Sequence, residues 1–359
     1  MAKYFDVLIM GATYGSLLAA KLLMAGHNCR LVCLPVERDL INAEGLTTRM
    51  PIRGREGLIE LRSADAPGKV SACAPEDADP AAFDLVVLAM QEPQYRLPGV
   101  RDLLARVAAA KVPCMSIMNM PPLPFLARLP GVDISKLRPC YADPSVWDDF
   151  DPALMTLASP DPQAFKPPNQ PLNLLQVSLP TNFKVAAFES VEHTRMLHQI
   201  EADIIAIRHD PGDGPFEVPV KVRVHDSVYV PLAKWAMLLT GNYRCITAGG
   251  PRAIRDAVHS DLRESAEVYA WVKQICMTLG AKEDDLVPFE KYAAAAKGLS
   301  KPSSAARALF GGAPYIERVD RLVQRLAMSA GVSHPAIDLV VELVDAQLAR
   351  NRSEMEEVA

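Results

Sequence analysis

The segment DVLIMGATYGSLLAAKLLMAGHNCRLVCL, residues 6–34, decides the fold of this chain. Residues 7–10 are wholly apolar, as is typical of a parallel strand that is buried on both faces. Gly11 ends this strand, residues 16–24 predict a helix, and residues 29–34 form a second apolar run. A strand, a helix and a second strand within about thirty residues indicate the βαβ unit of a parallel sheet.

Further strands and helices alternate through the first two thirds of the chain. Residues 84–90 and 113–118 predict two more buried strands, with a helix over residues 100–110 between them. This alternation favours a doubly wound parallel sheet. Residues 45–75 contain short alternating runs separated by glycines, which predict antiparallel strands at the sheet edge. Residues 151–171 contain six prolines and predict a surface excursion without regular secondary structure.

The last third of the chain changes to a helical pattern. Residues 230–243 and 254–279 predict two helices, and Ser333 is expected to cap the final one. We therefore predict an α/β Rossmann-type domain over residues 1–226, built on a doubly wound parallel sheet. An all-α C-terminal domain over residues 227–359 would serve substrate binding and dimerisation.

Composition narrows the classes of function. The chain has 359 residues, half of them apolar, and a net charge of −5, which gives no basic surface for nucleic acid. No apolar stretch approaches the roughly 18 residues that cross a bilayer. The seven cysteines are scattered without a CxxC pair, as is typical of free thiols in a reducing compartment. We expect a cytoplasmic protein that binds small molecules, neither nucleic acid nor membrane, with a homodimer as the candidate assembly.

The turn after the first strand carries a glycine pattern. It contains Gly11, Thr13, Tyr14, Gly15 and Ser16, a GxxxG spacing that is one residue shorter than GxGxxG. A dinucleotide site needs glycines here for the tight turn and for the approach of the pyrophosphate to the helix N-terminus. The alternative is a plain tight turn. We predict that these five residues bind a dinucleotide cofactor.

The end of the second strand bears on the choice of cofactor. An acid at this point would bind the ribose hydroxyls of NAD, whereas a nearby basic residue suits the 2′-phosphate of NADP. Here the strand ends in Cys33 and Leu34, without an acid, and Arg38 follows shortly after. We predict that the cofactor is NADP and that Arg38 binds its 2′-phosphate. NAD remains an alternative, because Glu37 and Arg38 are equally consistent with solvent-exposed residues at the start of a helix.

Polar residues in apolar surroundings are the candidates for chemistry. Lys234 lies in an apolar helix with Asn242 on roughly the same face, and Asn119 follows an apolar strand, where ligands of α/β sheets bind. A lysine in such a setting has two interpretations. It serves as a proton donor, or it buries only its aliphatic part while its ammonium group extends to solvent. Asn119 has the alternative of an ordinary turn residue. His193 and His198 are five residues apart, on different helix faces, so we predict no metal site.

Several segments of the chain resemble the ketopantoate reductase family. Residues 15–22 and 25–27 resemble its first helix, and residues 42–46 resemble the segment after its second strand. The resemblance extends over most of the chain. It implies a Rossmann-type domain followed by a helical domain like that of 6-phosphogluconate dehydrogenase.

The resemblance also implies roles for individual residues. Lys234 matches the catalytic lysine of the family, which donates a proton to the ketone oxygen. Asn242 matches a substrate-binding asparagine, and Asn119 matches one near the nicotinamide and the substrate. Ser303 and Ser304 match a serine pair whose hydroxyl contacts the substrate carboxylate.

The chain departs from the family pattern in its cofactor and substrate residues. Leu34 replaces a basic residue at the end of the second strand, and Gln91 replaces a lysine of the cofactor site. Leu238 stands where the family has a second asparagine. The acid of the family falls near Tyr315 or Ile316, with Glu317 one or two places away. The apolar register of the next helix favours Tyr315 at the place of the acid, with Glu317 pointing elsewhere. The alternative is that the acid has shifted to Glu317.

Three functions are consistent with this pattern. The first is an NADP-dependent oxidoreductase that reduces a 2-keto acid or a related carbonyl compound. The second is an opine-dehydrogenase-like or imine-reducing enzyme, in which the longer middle section of the chain would shape the site for a larger substrate. The third is a non-catalytic ligand-binding protein on the same fold. Retention of Lys234 and Asn242 favours the first.

Overall fold

A computed structural model describes residues 3–210, 212 and 214–358. The chain forms two compact units, each of which is described by itself. The first unit contains Met1–Met90, Gln94–Phe125 and Ser145–Val228, and the second contains Gln91–Pro93, Leu126–Pro144 and Tyr229–Ala359.

The first unit is an α/β structure. Its strands are β1 (Asp6–Met10), β2 (Asn28–Val32), β3 (Thr47–Pro51), β4 (Leu58–Arg62), β5 (Val70–Cys73), β6 (Leu85–Leu88), β7 (Cys114–Ile117), β8 (Met155–Ser159), β9 (Gln163–Phe165), β10 (Leu174–Leu179), β11 (Phe183–Ala186), β12 (Arg208–His209), β13 (Phe216–Glu217) and β14 (Val222–His225). Its helices are α1 (Tyr14–Met24), α2 (Pro35–Glu44), α3 (Pro98–Ala110) and α5 (Val191–Ala206), while the short α4 (Leu123–Leu126) ends in the second unit.

The main sheet has eight strands in the order β14–β11–β8–β7–β6–β1–β2–β5. All neighbours from β8 to β5 are parallel, whereas β11 runs antiparallel to β8. The chain order reverses between β1 and β6, which are paired directly. Residues 7–10 of β1 are fully buried, as a sheet covered on both faces requires. The predicted doubly wound Rossmann-type sheet is therefore confirmed.

Two sequence predictions for this unit need correction. The β3–β4 hairpin is antiparallel, but it lies in a separate four-stranded sheet of order β4–β3–β10–β9, and only β5 joins the edge of the main sheet. The proline-rich excursion contains β8, whose five residues are all buried in the main sheet. Pro152 and Pro160 flank this strand without interrupting it, so the proline count was misleading.

The second unit is helical apart from the two-residue strands β15 (Ile246–Thr247) and β16 (Gly250–Pro251). Its helices are α6 (Lys234–Met237), α7 (Ile254–His259), α8 (Leu262–Thr278), α9 (Phe289–Ala296), α10 (Ser304–Phe310), α11 (Val319–Ser329) and α12 (Pro335–Val358). The predicted helical C-terminal region is thus confirmed, with the short β15–β16 sheet as its departure from an all-α structure.

Two helix boundaries in this unit differ from the prediction. The expected helix over residues 254–279 is broken, because the Asp261 side chain accepts a hydrogen bond from the Glu264 amide, 2.9 Å away, and begins α8. The cap of α12 is His334 and not Ser333. The ring Nδ1 of His334 accepts the Ala336 amide at 3.2 Å.

The structure also bears on membranes and on the cysteines. Over the residues described, none of the helices is both long enough and apolar enough to span a bilayer. All seven cysteines are described and are free thiols.

Candidate functional site

The glycine turn lies between β1 and α1, as predicted. Gly11 has a φ of +105°, and a Cβ added to it would lie 2.8 Å from the Ala89 carbonyl oxygen, so only glycine fits this turn. A Cβ on Gly15 would lie 2.7 Å from Cγ2 of Ile9, because α1 packs closely on β1. These are the roles of the first and third glycines of a dinucleotide-binding turn.

The N-terminus of α1 has no side-chain cap among the described residues. The Thr13 side chain is exposed and makes no capping hydrogen bond to α1 among the described residues. Tyr14, the first helical residue, is half-buried. Ser16, in contrast, is buried, and its hydroxyl donates to the Ala12 carbonyl at 2.7 Å. Backbone N–H groups of the first turn therefore suit an anion better than the Ser16 hydroxyl does.

The carboxyl end of β2 is surrounded by charged side chains. The Arg38 guanidinium donates to the Asp39 carboxylate at 2.8 Å, and this hydrogen bond raises the pKa of Arg38. Glu37 forms an ion pair with Lys166, the residue directly after β9. Burial raises the pKa of the nearby Cys33 thiol to about 12. Sequence reasoning missed Lys166, because the sheet pairing that brings it to α2 spans more than a hundred residues.

Two further predicted residues follow neighbouring strands of the main sheet. Asn119 lies two residues beyond β7 and is half-buried in the first unit. Gln91 lies three residues beyond β6, is exposed, and belongs to the second unit.

Lys234 and Asn242 lie on one continuous helical segment of the second unit. A 3₁₀ turn over Val230–Ala233 leads into α6, and a π-helical turn over Leu238–Asn242 follows it. The Tyr243 amide donates to the Leu238 carbonyl, five residues back, at 2.9 Å. The predicted single helix over residues 230–243 is thus present, but with a π-bulge.

The π-bulge sets the angle between the two side chains. At about 100° per residue, eight residues of regular α-helix would separate Lys234 from Asn242 by about 80°. A π turn takes up one extra residue and reduces this angle to about 20°. Within residues 230–246, all of them described, only Lys234, Met237 and Asn242 are partly exposed. The bulge therefore places the lysine and the asparagine on one accessible face.

Tyr292 on α9 is the side chain that contacts the bulge. Its hydroxyl donates to the Met237 carbonyl at 3.0 Å, and burial raises its pKa above the usual range. A Cβ on Gly241 would lie 2.9 Å from Cγ2 of Ile254 and closer still to the Tyr292 hydroxyl. A side chain that inserts into the hydrogen-bond ladder of a helix is a known cause of local helix distortion. Glycine at position 241 gives Tyr292 the room to do so.

The two predicted substrate serines differ in availability. Ser303 is buried, and its hydroxyl donates to the Asn242 backbone carbonyl at 2.7 Å and accepts the Ala306 amide at 3.0 Å. It caps α10 and fixes the end of the Lys234 helix. Ser304, the first residue of α10, is exposed. Of the pair, Ser304 is the one whose side chain can reach a ligand.

Two acidic residues of the second unit are buried near each other. Glu317 is 7% exposed and Glu92 is 2% exposed. Burial raises the pKa of Glu92 to about 8, and the charge of Glu317 adds to this shift. One oxygen of Glu92 accepts the Ala142 amide at 3.0 Å. Sequence reasoning gave Glu92 no role, because nothing in the local pattern shows that it is buried.

No metal centre is evident in the described part of the chain, where no group of three His, Cys, Asp or Glu side chains could hold an ion.

Comparisons with known proteins support the fold. No protein-family model and no protein of curated function matches this sequence. Solved structures do match, and one is a 2-dehydropantoate 2-reductase from Methylococcus capsulatus, at 13% identity and a TM-score of 0.64, covering 96% of this chain and 97% of that one. A ternary structure of D-mandelate dehydrogenase with NADH and anilino(oxo)acetate matches at 14% identity and a TM-score of 0.63, over 97% and 99%.

A third match is a dimeric ketopantoate reductase from Staphylococcus aureus, at 12% identity and a TM-score of 0.59, over 96% and 99% of the two chains. Similarity at such low identity, extended over whole chains, shows a shared fold. The chain has the fold of the ketopantoate reductases, and the resemblance inferred from its sequence is confirmed at that level.

Proposed function

We propose that this protein is an NAD(P)H-dependent oxidoreductase that reduces a 2-keto acid or a related carbonyl compound, with NADPH as the preferred cofactor. The observation that carries the proposal is the π-bulge, which aligns Lys234 with Asn242 on one accessible helical face. A bulge of this kind costs regular helical hydrogen bonding and occurs frequently at functional sites.

The glycine turn fits the cofactor. Gly11 and Gly15 allow the tight turn and the close helix packing of a dinucleotide site, and the first turn of α1 offers backbone N–H groups to a pyrophosphate. Gly11 ends β1, next to the point where the strand order reverses, which is where open α/β sheets bind ligands. We propose that the nicotinamide end of the cofactor reaches Asn119, and that Gln91 belongs to the cofactor site.

The chemistry divides between the cofactor and the protein. A bound nicotinamide supplies the hydride to the carbonyl carbon. Lys234 donates a hydrogen bond to the carbonyl oxygen and transfers a proton from Nζ as negative charge develops there. Asn242 and Asn119 position the carbonyl group, and the Ser304 hydroxyl binds the adjacent carboxylate. The products would be a hydroxy acid, the oxidised nicotinamide and a neutral lysine, and Lys234 would regain its proton from solvent.

The assembly and location are proposed on the same grounds. The dimeric ketopantoate reductase that shares this fold supports a homodimer. We further propose that residues 1–226 act as the cofactor domain, that residues 227–359 act as the substrate domain, and that the protein works in the cytoplasm.

The direct test is oxidation of NADPH by the purified full chain with a panel of 2-keto acids. Consumption of NADPH by at least one keto acid, without an added amine, is the expected result. Turnover that requires an amine would favour the imine-reducing alternative and refute carbonyl reduction. Tight nucleotide binding without turnover across the panel would favour a ligand-binding protein.

A further inference from the structure

Lys166 lies at the carboxyl end of β2, where it meets Glu37. It follows β9 in the four-stranded sheet and forms an ion pair with the carboxylate of Glu37, in the first turn of α2. The two side chains are only 20% and 15% exposed. Lys166, Glu37 and Arg38 all contribute to the electrostatic field at the Cys33 thiol, directly after β2. The pair therefore lies at the tip of the second strand.

This position is informative because of the fold. In a Rossmann-type sheet the tip of the second strand meets the adenosine ribose of the cofactor, and the residues there distinguish NADP from NAD. A partly buried ion pair adds little net stability, because desolvation offsets much of the attraction. Stability alone therefore gives no reason for a lysine and a glutamate at this tip.

Arg38, the residue that the sequence suggested for this role, has acidic neighbours. Its guanidinium donates to Asp39, and the charges of Asp77 and Glu76 also act on it. A phosphate at Arg38 would therefore meet several carboxylates. Lys166 instead pairs with a single residue of α2, Glu37, which a phosphate oxygen can replace as acceptor.

We propose that Lys166 binds the 2′-phosphate of NADPH and that Glu37 holds it in place until the cofactor arrives. The proposal rests on the proposed function. A lysine ammonium binds phosphate as a point charge, and the phosphate takes the place of the Glu37 carboxylate. NADH lacks the phosphate and leaves the ion pair intact. Lys166 is thus a specificity residue that the proline-rich excursion brings to the second strand.

The test compares dissociation constants, measured by nicotinamide fluorescence at fixed ionic strength, for NADPH and NADH with the full chain. Lys166→Gln should weaken NADPH binding roughly tenfold to a hundredfold, the usual worth of one charge-assisted hydrogen bond, and change NADH binding less than about twofold. Glu37→Gln should strengthen NADPH binding, because it removes both the competitor and the repulsion.

Lys184→Gln is the matched control. Lys184 also pairs with an acid, Asp161, at 3.4 Å, but it lies on β11, which four strands separate from β2. The Lys184→Gln substitution removes the same charge and should leave the dissociation constants of both NADPH and NADH unchanged. The proposal would be overturned if Lys166→Gln weakened NADPH and NADH binding equally. It would also be overturned if Arg38→Gln weakened NADPH binding and Lys166→Gln did not. Neither result would contradict the proposed oxidoreductase function. Failure of the unmodified protein to bind either nucleotide would overturn both.

Discussion

Replacing Gly241 with alanine tests whether Tyr292 and the π-bulge form one unit. Position 241 is helical, so alanine alone would favour the helix by up to about 1 kcal/mol. The added methyl group, however, would overlap the Tyr292 hydroxyl and lie 2.9 Å from Ile254. Overpacking of this kind costs about 1–3 kcal/mol, and the displaced Tyr292 also loses its hydrogen bond to Met237. We expect Gly241→Ala to destabilise the protein by about 1–3 kcal/mol.

Tyr292→Phe completes the double-mutant cycle. It removes the hydroxyl that obstructs the methyl group and costs about 1 kcal/mol for one hydrogen bond. The double variant Gly241→Ala/Tyr292→Phe should therefore lose clearly less stability than the sum of the two single changes. The assay is urea unfolding, with an unchanged slope as the check that the transition stays two-state.

The same variants should separate stability from catalysis. A helix that loses the bulge turns Asn242 about 80° away from Lys234, so Gly241→Ala should lower kcat while the affinity for NADPH stays unchanged. Strictly additive losses of stability, or a Gly241→Ala protein that is more stable than the original, would refute the packing argument.

Two further predictions concern other parts of the chain. Gly15→Ala should weaken binding of both nucleotides and destabilise the protein by about 1–3 kcal/mol, because the added methyl group meets the rigid side chain of Ile9. Gly99→Ala is the control. It should have neither effect, because a Cβ added there would lie no closer than 3.8 Å to its neighbours. The pKa of Glu92 is raised from 4.5 to about 8 in the folded protein. Between these pH values the folded protein keeps a proton that the unfolded chain releases. The free energy of unfolding should therefore fall as the pH rises through this range, by up to about 1.4 kcal/mol per pH unit. Glu92→Gln should flatten this dependence in urea unfolding measured from pH 5 to about 8.5, and an unchanged pH profile would show that Glu92 titrates normally.

The sequence predicts well those features that local patterns determine. The β1–α1–β2 unit follows from one apolar run, one glycine turn and a second apolar run, each within a few residues. The apolar helix that carries Lys234 and Asn242 also follows from a local pattern, whereas the roles of these two residues stay a prediction. The strand β8 was missed because its flanking prolines outweighed the apolar residues between them.

The features that the sequence did not predict depend on distant contacts. The Tyr292 hydroxyl that contacts the π-bulge is 55 positions away in the chain from Met237, whose carbonyl accepts its hydrogen bond. The ion pair of Glu37 with Lys166 joins residues 129 positions apart, through the pairing of β9, β10 and β3. No local periodicity encodes such contacts, because packing of whole elements determines them.

Lys234 is the residue that we propose supplies the proton for carbonyl reduction. The most direct measurement compares kcat and the NADPH dissociation constant of Lys234→Ala with those of the original protein, using the keto acid that gives the highest turnover. Lys273→Ala serves as the control, because Lys273 forms an ion pair with Glu283 elsewhere in the second unit. We expect Lys234→Ala to lower kcat by roughly 10²–10⁴, with NADPH binding changed less than about twofold. A Lys234→Ala protein that keeps its kcat would contradict the claim.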